Sequence, residues 1–173
     1  MDIRALRESD ARSGFRSGDP DLDRFLQKYA GQNQFRHHIG TTYVAVEGGR
    51  VLGYATVAPG HIEIEDLPVS GRRGLPRYPL PILRLARLAV HESFQGRGLG
   101  RQLLRFVLNL ALQMAGDFGC IGVVVDAKPE AVAFYRQFGF VPLEVLEGHS
   151  QARPQATAMF LSVPEIQTVS KGR

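Results

Sequence analysis

The sequence predicts a mixed α/β domain, with an antiparallel first half and a β-α-β-α-β arrangement behind it. Three observations predict it. "TTYVAV" and "VLGYATVA" flank "EGGR", a hairpin signal. "ILRLARLAV" is an apolar run that ends at a glycine-rich turn, after which apolar residues recur with helical period. "CIGVVVDA" then reads as a buried strand, followed by a short helix opened by Pro129.

Taken in order, "DIRALR" alternates and reads as the first strand. "GDPDLDRFLQKYAGQNQFRHH" reads as a helix. Asp19 is its cap, Pro20 suits its first position, and Asp21 and Asp23 favour its positive end. Leu22, Phe25, Leu26 and Tyr29 form its apolar face. The hairpin follows, then "VSGRRGLPRYPLP", too punctuated by glycine and proline for regular structure. After the strand 82–90 and the glycine turn, Leu99, Leu103, Phe106, Val107, Leu110 and Met114 share one side of a helix. "PEAVAFYRQF" is a short helix, "GFVPLEVL" a strand, and "ATAMFLSV" the end of the sheet. "QTVSKGR" is expected to fray.

With 173 residues, 44% hydrophobic and 22% charged, the chain has enough apolar surface for one domain without metal or disulfide staples. Its one cysteine, Cys120, has no partner for an internal disulfide, lies in a buried strand run and reads as packing. No cluster has zinc spacing, and His37–His38 reads as surface. No run has the length of a membrane span, and "MDIRALRESDAR" lacks the apolar core of a signal peptide, so a cytoplasmic protein with no membrane role is expected. The formal charge is only +4, but residues 71–105 hold eight arginines against the single acid Glu92. Such clustering suits a polyanionic ligand, phosphate groups or nucleic acid; a solvated basic face is the competing reading.

The turn "QGRGLG" explains part of that charge. At a strand-to-helix junction it aims backbone N–H groups at one point, and the helix dipole adds partial positive charge. Gly96, Gly98 and Gly100 carry no side chains, so an anion can approach the main chain, with Arg97 and Arg101 beside it. The expectation is a cradle for a diphosphate. It is not a P-loop, because no Lys-Ser or Lys-Thr follows. A dinucleotide fingerprint fits poorly too, since Arg101 stands where the third glycine belongs and the turn lies mid-chain after a hairpin.

Gln95, Gly98 and Gly100 instead match Q/R-x-x-G-x-G/A, and the segment resembles the signature of the GCN5-related N-acetyltransferases (GNAT). "VAFYRQFGF", residues 132–140, resembles that family's F-Y-x-x-x-G-F segment. "SGDPDLDRFLQKYAGQNQ" and "RGLPRYPLPILRLARLAV", with the turn, resemble the TacT-like acetyltransferase toxins of bacterial toxin–antitoxin pairs, over roughly residues 14 to 142. The resemblance stops before "EVLEGHSQARPQ". It implies the GNAT acyl-CoA N-acyltransferase fold, a central, mostly antiparallel sheet with a parallel pair at the coenzyme site, flanked by helices. A single domain is expected over residues 1–165, and a disordered tail over 166–173.

The resemblance also implies roles. Acetyl-CoA is the co-substrate, and no metal is needed. Leu88, Ala89 and Val90 would pair with the pantetheine arm. Gln95, Gly96, Arg97, Gly98, Leu99, Gly100 and Arg101 would hold the pyrophosphate. Tyr135 matches the family tyrosine that protonates the leaving sulfur; without that match, a tyrosine beside Phe134, Phe138 and Phe140 would read as core. The acceptor implied is the α-amino group of aminoacyl-tRNA. Arg72, Arg73, Arg77, Arg84 and Arg87 would contact its phosphates, with Lys28 and Arg36 in second place. "GQNQ" would shape the acceptor pocket or cap a helix, and Glu92 and His91 read either as participants in the base role or, more commonly at a strand end, as solvated bystanders. A cognate ribbon-helix-helix antitoxin would neutralise the protein and carry it to operator DNA, and a homodimer is expected. Two alternatives stand beside this reading. One is a GNAT enzyme acting on a protein lysine or a small amine; the other is a non-catalytic acyl-CoA- or RNA-binding module.

Overall fold

The computed structural model describes residues 1–143 and 156–171. Strands β1 (Asp2–Ala5), β2 (Thr41–Glu47), β3 (Arg50–Ile62), β4 (Leu80–Val90), β5 (Gly122–Ala127), β6 (Val141–Pro142) and β7 (Thr157–Ser162) form one sheet in the order β1-β2-β3-β4-β5-β7-β6. Its pairings are mostly antiparallel. The exception is β4 beside β5, a parallel pair joined through helix α3 (Leu99–Asp117). The α/β expectation from the sequence therefore holds, parallel pair included.

Two compact units emerge, each made of two chain segments. The first comprises Met1–Ala58 and Leu85–Asn109. Its part of the sheet is covered on both faces. Under helices α1 (Pro20–Arg24) and α2 (Ala30–Phe35) lie Phe15, Phe25, Leu26, Val44, Tyr54 and Ala89. Ala45 and Leu52 pack with Leu99 and Leu103 of α3. Gly53 makes the second contact possible, because a Cβ there would stand 3.0 Å from both the Ala89 carbonyl oxygen and Leu103 Cδ1. Fully burying a side chain such as Leu26 or Leu103 stabilises by about 1.5–3 kcal/mol.

The Asp19 carboxylate caps α1 by accepting the Asp21 and Leu22 N–H groups, with Pro20 at the first position as expected. The single long helix expected over 18–38 is interrupted. Between α1 and α2 the chain makes a π-helical turn, Phe25–Tyr29, in which the Ala30 N–H reaches back to the Phe25 carbonyl. The wider turn buries Phe25, Leu26 and Ala30 together.

The second unit comprises Pro59–Arg84 and Leu110–Arg173. Ile62, Leu67, Leu80, Ile82, Val124 and Phe160 form its core. Helix α4 (Val132–Gln137) is short, as expected. The strand expected over 139–146 is present as β6, Val141–Pro142; residues 144–146 lie outside the described residues. The frayed tail expected from residue 166 is instead helix α5 (Val163–Lys171), with Ile166 fully buried and the Val163 N–H donating to the Ile121 carbonyl at 2.9 Å. Its start signal is Ser162-Val163-Pro164-Glu165, in which the Ser162 hydroxyl accepts the Glu165 N–H and proline sits in the first turn.

Candidate active site

The site begins where β4 ends. Leu88 and Val90 pack on the α3 side of the sheet with Phe94, while Ala89 is buried on the α1–α2 side, so the strand's alternation seats its end firmly. The His91 N–H donates to the Leu52 carbonyl at 2.8 Å. His91 is buried rather than solvated. Its Nδ1 accepts the Ser93 N–H at 3.1 Å and so caps the short 3₁₀ turn Glu92–Phe94. Its role is to shape the turn. Glu92 is exposed, as expected.

Beyond that turn, Gly96 and Gly98 have φ of 78° and 83°, the left-handed region where other residues are strained. A Cβ at either would meet nothing within 4 Å, so the space beside the main chain is open. The Gln102 N–H donates to the Gly98 carbonyl at 3.1 Å, the first bond of α3. The Leu99 and Gly100 N–H groups precede any intrahelical acceptor and point out of the helix start. Arg101 is exposed beside them. Left-handed glycines, helix N–H groups and arginines at one turn suit a diphosphate dianion, and these residues fit the diphosphate of coenzyme A.

Two side chains of the signature are used within the protein. The Gln95 amide nitrogen donates to the Val90 and Ser17 carbonyls, so its side-chain N–H groups are already engaged within the protein. The Arg97 guanidinium lies 5.0 Å from the centre of the Phe94 ring. Arg50, which the sequence presents only as a hairpin residue, approaches the same ring at 5.6 Å and donates to Ser93 Oγ. No local pattern links residues 43 positions apart, and the sequence reading missed Arg50 for that reason.

Tyr135 belongs to the second unit. It is 5% exposed, with the Phe134 and Phe140 rings edge-on to its own at 5.1 and 5.4 Å. Burial pushes its pKa above the usual phenol value, so it stays protonated at neutral pH. Its hydroxyl makes no hydrogen bond to another described residue. The outer side of α4 lines a shallow groove formed by Pro129, Val132, Ala133, Arg136 and Gln137.

The arginines near β4 do not behave alike. Arg72 donates to the Leu67 carbonyl at 2.8 Å and the Glu65 carbonyl at 2.9 Å, tying down its own loop. Arg84 pairs with Asp126 at 3.4 Å. The Arg87 guanidinium lies 3.7 Å from the centre of the Phe25 ring. Arg73 and Arg77 are exposed and make no hydrogen bond or ion pair with another described residue. Within "GQNQ", Gln34 bridges the Leu6 carbonyl and the Thr42 N–H, a structural use of its amide. Cys120 is buried, and burial raises its pKa, which suits packing rather than nucleophilic chemistry. Among the described residues no group of acids, histidines or cysteines could hold a metal, and no helix is long and apolar enough to cross a membrane.

Residues 38–142 match the family described as the acetyltransferase (GNAT) domain. The chain belongs to the GNAT acetyltransferases. It is an N-acetyltransferase, and the acetyl donor of the GNAT family is acetyl-CoA. A relative in Mycobacterium tuberculosis (strain ATCC 25618 / H37Rv), described as a tRNA-acetylating toxin, is 38% identical over 138 residues, covering 79% of this chain and 82% of that protein. The structure of AtaT complexed with acetyl-methionyl-tRNAfMet is similar with a TM-score of 0.85 and 27% identity, covering 98% of both chains. The KacTA–DNA complex is similar with a TM-score of 0.77 and 26% identity, covering 99% of both.

Proposed function

We propose that this GNAT enzyme transfers an acetyl group to the α-amino group of an aminoacyl-tRNA and so withdraws that tRNA from translation. The observation that carries the reading is the similarity, over 79% of the chain, to a tRNA-acetylating toxin. The open glycine turn supports it by giving the coenzyme a place to bind.

Acetyl-CoA supplies an acetyl group activated as a thioester. Gly96, Gly98, Leu99, Gly100 and Arg101 bind its diphosphate through main-chain N–H groups and charge, with Gln95 and Arg97 shaping the turn. Leu88, Ala89 and Val90 offer the strand end to the pantetheine arm. Tyr135 is the general acid: as the amine nitrogen bonds to the acetyl carbon and the carbon–sulfur bond breaks, the phenol gives its proton to the sulfur, the nitrogen loses a proton to water, and the phenolate takes one back from water. An ordinary phenol titrates at about 10, so that proton is in place at physiological pH. An α-amino group titrates at about 7.7–8.0, and an adjacent ester lowers that value, so enough neutral amine exists without a dedicated base.

Arg73 and Arg77 are the arginines best placed to meet tRNA phosphates, since nothing else in the described residues engages them. Arg72, Arg84 and Arg87 add positive charge from within their own contacts. A ribbon-helix-helix antitoxin neutralises the enzyme, and operator DNA is reached only through that complex; similarity to the KacTA–DNA complex supports this part. The enzyme works in the cytoplasm as a homodimer.

The test is incubation with labelled acetyl-CoA and total charged tRNA, followed by nuclease digestion and identification of the products. N-acetylated aminoacyl-adenosine is expected. Label appearing only on protein lysines or small amines would favour the other enzymatic reading, and binding without turnover would favour the non-catalytic one.

A further inference from the structure

Gln95 occupies the first position of the signature, yet its amide points into the protein. Nε2 donates to the Val90 carbonyl at 2.9 Å, in the strand just ended, and to the Ser17 carbonyl at 2.7 Å, in the irregular segment that leads into α1. Beside it the Glu92 N–H donates to the Arg16 carbonyl at 2.8 Å. Two consecutive carbonyls of the segment are therefore held by the turn that presents Gly96 and Gly98.

The segment is tied as firmly at its other end. The Ser17 N–H and hydroxyl donate to Asp23 Oδ1 of α1 at 2.8 and 2.6 Å. The Asp19 N–H donates to Ser17 Oγ at 3.2 Å, while the Asp19 carboxylate caps α1. Phe15 is buried edge-on against the rings of Tyr54 and His91, and the Gln27 amide donates to its carbonyl at 3.0 Å. An unbroken path of hydrogen bonds runs from the glycine turn through Gln95 and Ser17 to Asp23.

Gln95 is exposed, so its bonds compete with water and form to the extent that the turn is held still. A diphosphate bound by the adjacent N–H groups would hold it still. By linkage, whatever the coenzyme does for the segment, the segment does for the coenzyme, by the same factor.

We propose that Gln95 is a positioning residue that couples occupancy of the glycine turn by the coenzyme's diphosphate to the order of residues 14–24, the segment carrying α1. The proposal rests on the coenzyme binding at that turn.

The test combines acetyl-CoA titration calorimetry with hydrogen–deuterium exchange of a peptide spanning residues 13–26. In the wild-type protein acetyl-CoA should slow exchange of that peptide about five-fold, the size of one modest coupling. Gln95→Met should abolish the slowing and weaken acetyl-CoA binding by about the same factor. Gln95→Arg keeps donors at that position and should restore both. Asp23→Ala, which touches no residue of the turn, should also weaken acetyl-CoA binding, and its combination with Gln95→Met should be little worse than either alone. Additive losses, or full protection retained in Gln95→Met, would overturn the coupling. Should Gln95→Met fail to fold, Asp23→Ala decides: an unchanged acetyl-CoA affinity sinks the proposal. Absence of acetyl-CoA binding in the wild type would remove the coenzyme reading itself, whereas binding without protection removes the coupling alone.

Discussion

Tyr54 and Tyr135 are both buried, both surrounded by aromatic rings, and both raised in pKa by desolvation. They differ at one atom. The Tyr54 hydroxyl donates to the Leu22 carbonyl at 2.6 Å, and its ring sits between Phe15 and Phe25. The Tyr135 ring is packed by Phe134 and Phe140, but its hydroxyl has no partner among the described residues. A buried polar group normally finds a partner inside the fold. Tyr54 is a bolt, whereas Tyr135 carries the hydroxyl that the proposed mechanism uses as its acid.

Tyr135→Phe tests that distinction with the largest expected effect. It removes no hydrogen bond to another described residue, so the thermal midpoint should stay within a few degrees. Under the proposed mechanism it removes the acid, so kcat for acetyl transfer should fall by roughly 10²–10⁴-fold. Steady-state kinetics beside a thermal scan read both. Turnover within a few-fold of wild type would return Tyr135 to the class of Tyr54.

A smaller effect is expected at the glycine turn. At Gly98, with φ of 83°, alanine has open space but the wrong backbone preference, a strain of roughly 1–2 kcal/mol. The turn should relax out of its ligand-binding shape, weakening acetyl-CoA by about ten-fold as that strain converts. Gly116 also has open space but lies within helix α3 without a positive φ, so Gly116→Ala should stabilise by about 0.5–1 kcal/mol and leave coenzyme binding alone. Calorimetric titration of both variants separates a glycine kept for a ligand from one that is merely tolerated.

Neighbouring arginines offer the same contrast at lower amplitude. Arg73→Gln and Arg77→Gln should each flatten the salt dependence of tRNA binding by about one unit of slope. Arg72→Gln should lower the melting temperature instead, because two loop carbonyls lose their donor. Equal salt slopes for the Arg72 and Arg73 variants would erase the difference between them.

These pairs also show what a sequence can carry. The hairpin at "EGGR" and the strand-to-helix turn at "QGRGLG" were legible because their determinants are adjacent residues with special backbone needs. The α5 start signal at Ser162–Glu165 was equally local, but it lay just before polar residues that read as a tail. The π-turn at Phe25–Tyr29 leaves helical periodicity almost intact, and so one continuous helix was expected. Long-range partners were not legible at all. Arg72 and Arg73 are identical letters side by side, and only the placement of the Leu67 and Glu65 carbonyls separates their roles. Gln95 was recognisable as a signature residue, but its bond to Ser17, 78 positions earlier, depends on a fold that no local pattern encodes.

The smallest effect is expected at Tyr54. Tyr54→Phe gives up one buried hydrogen bond, a loss of about 1 kcal/mol, with acetyl transfer nearly unaltered. Its signature should be sharpest in alkali. Desolvation raises the folded-state pKa of this phenol above its unfolded value of about 10. The unfolded chain therefore releases its proton first, and the stabilising contribution, full below about pH 10, drains away as pH rises further. Above that point wild-type stability should fall more steeply than that of Tyr54→Phe, by about 1.4 kcal/mol per pH unit while the folded phenol remains protonated. Denaturant midpoints at successive pH values measure the two slopes. Parallel slopes would mean that the Tyr54 hydroxyl is as well solvated as any surface phenol, and the contrast with Tyr135 would lose its reference point.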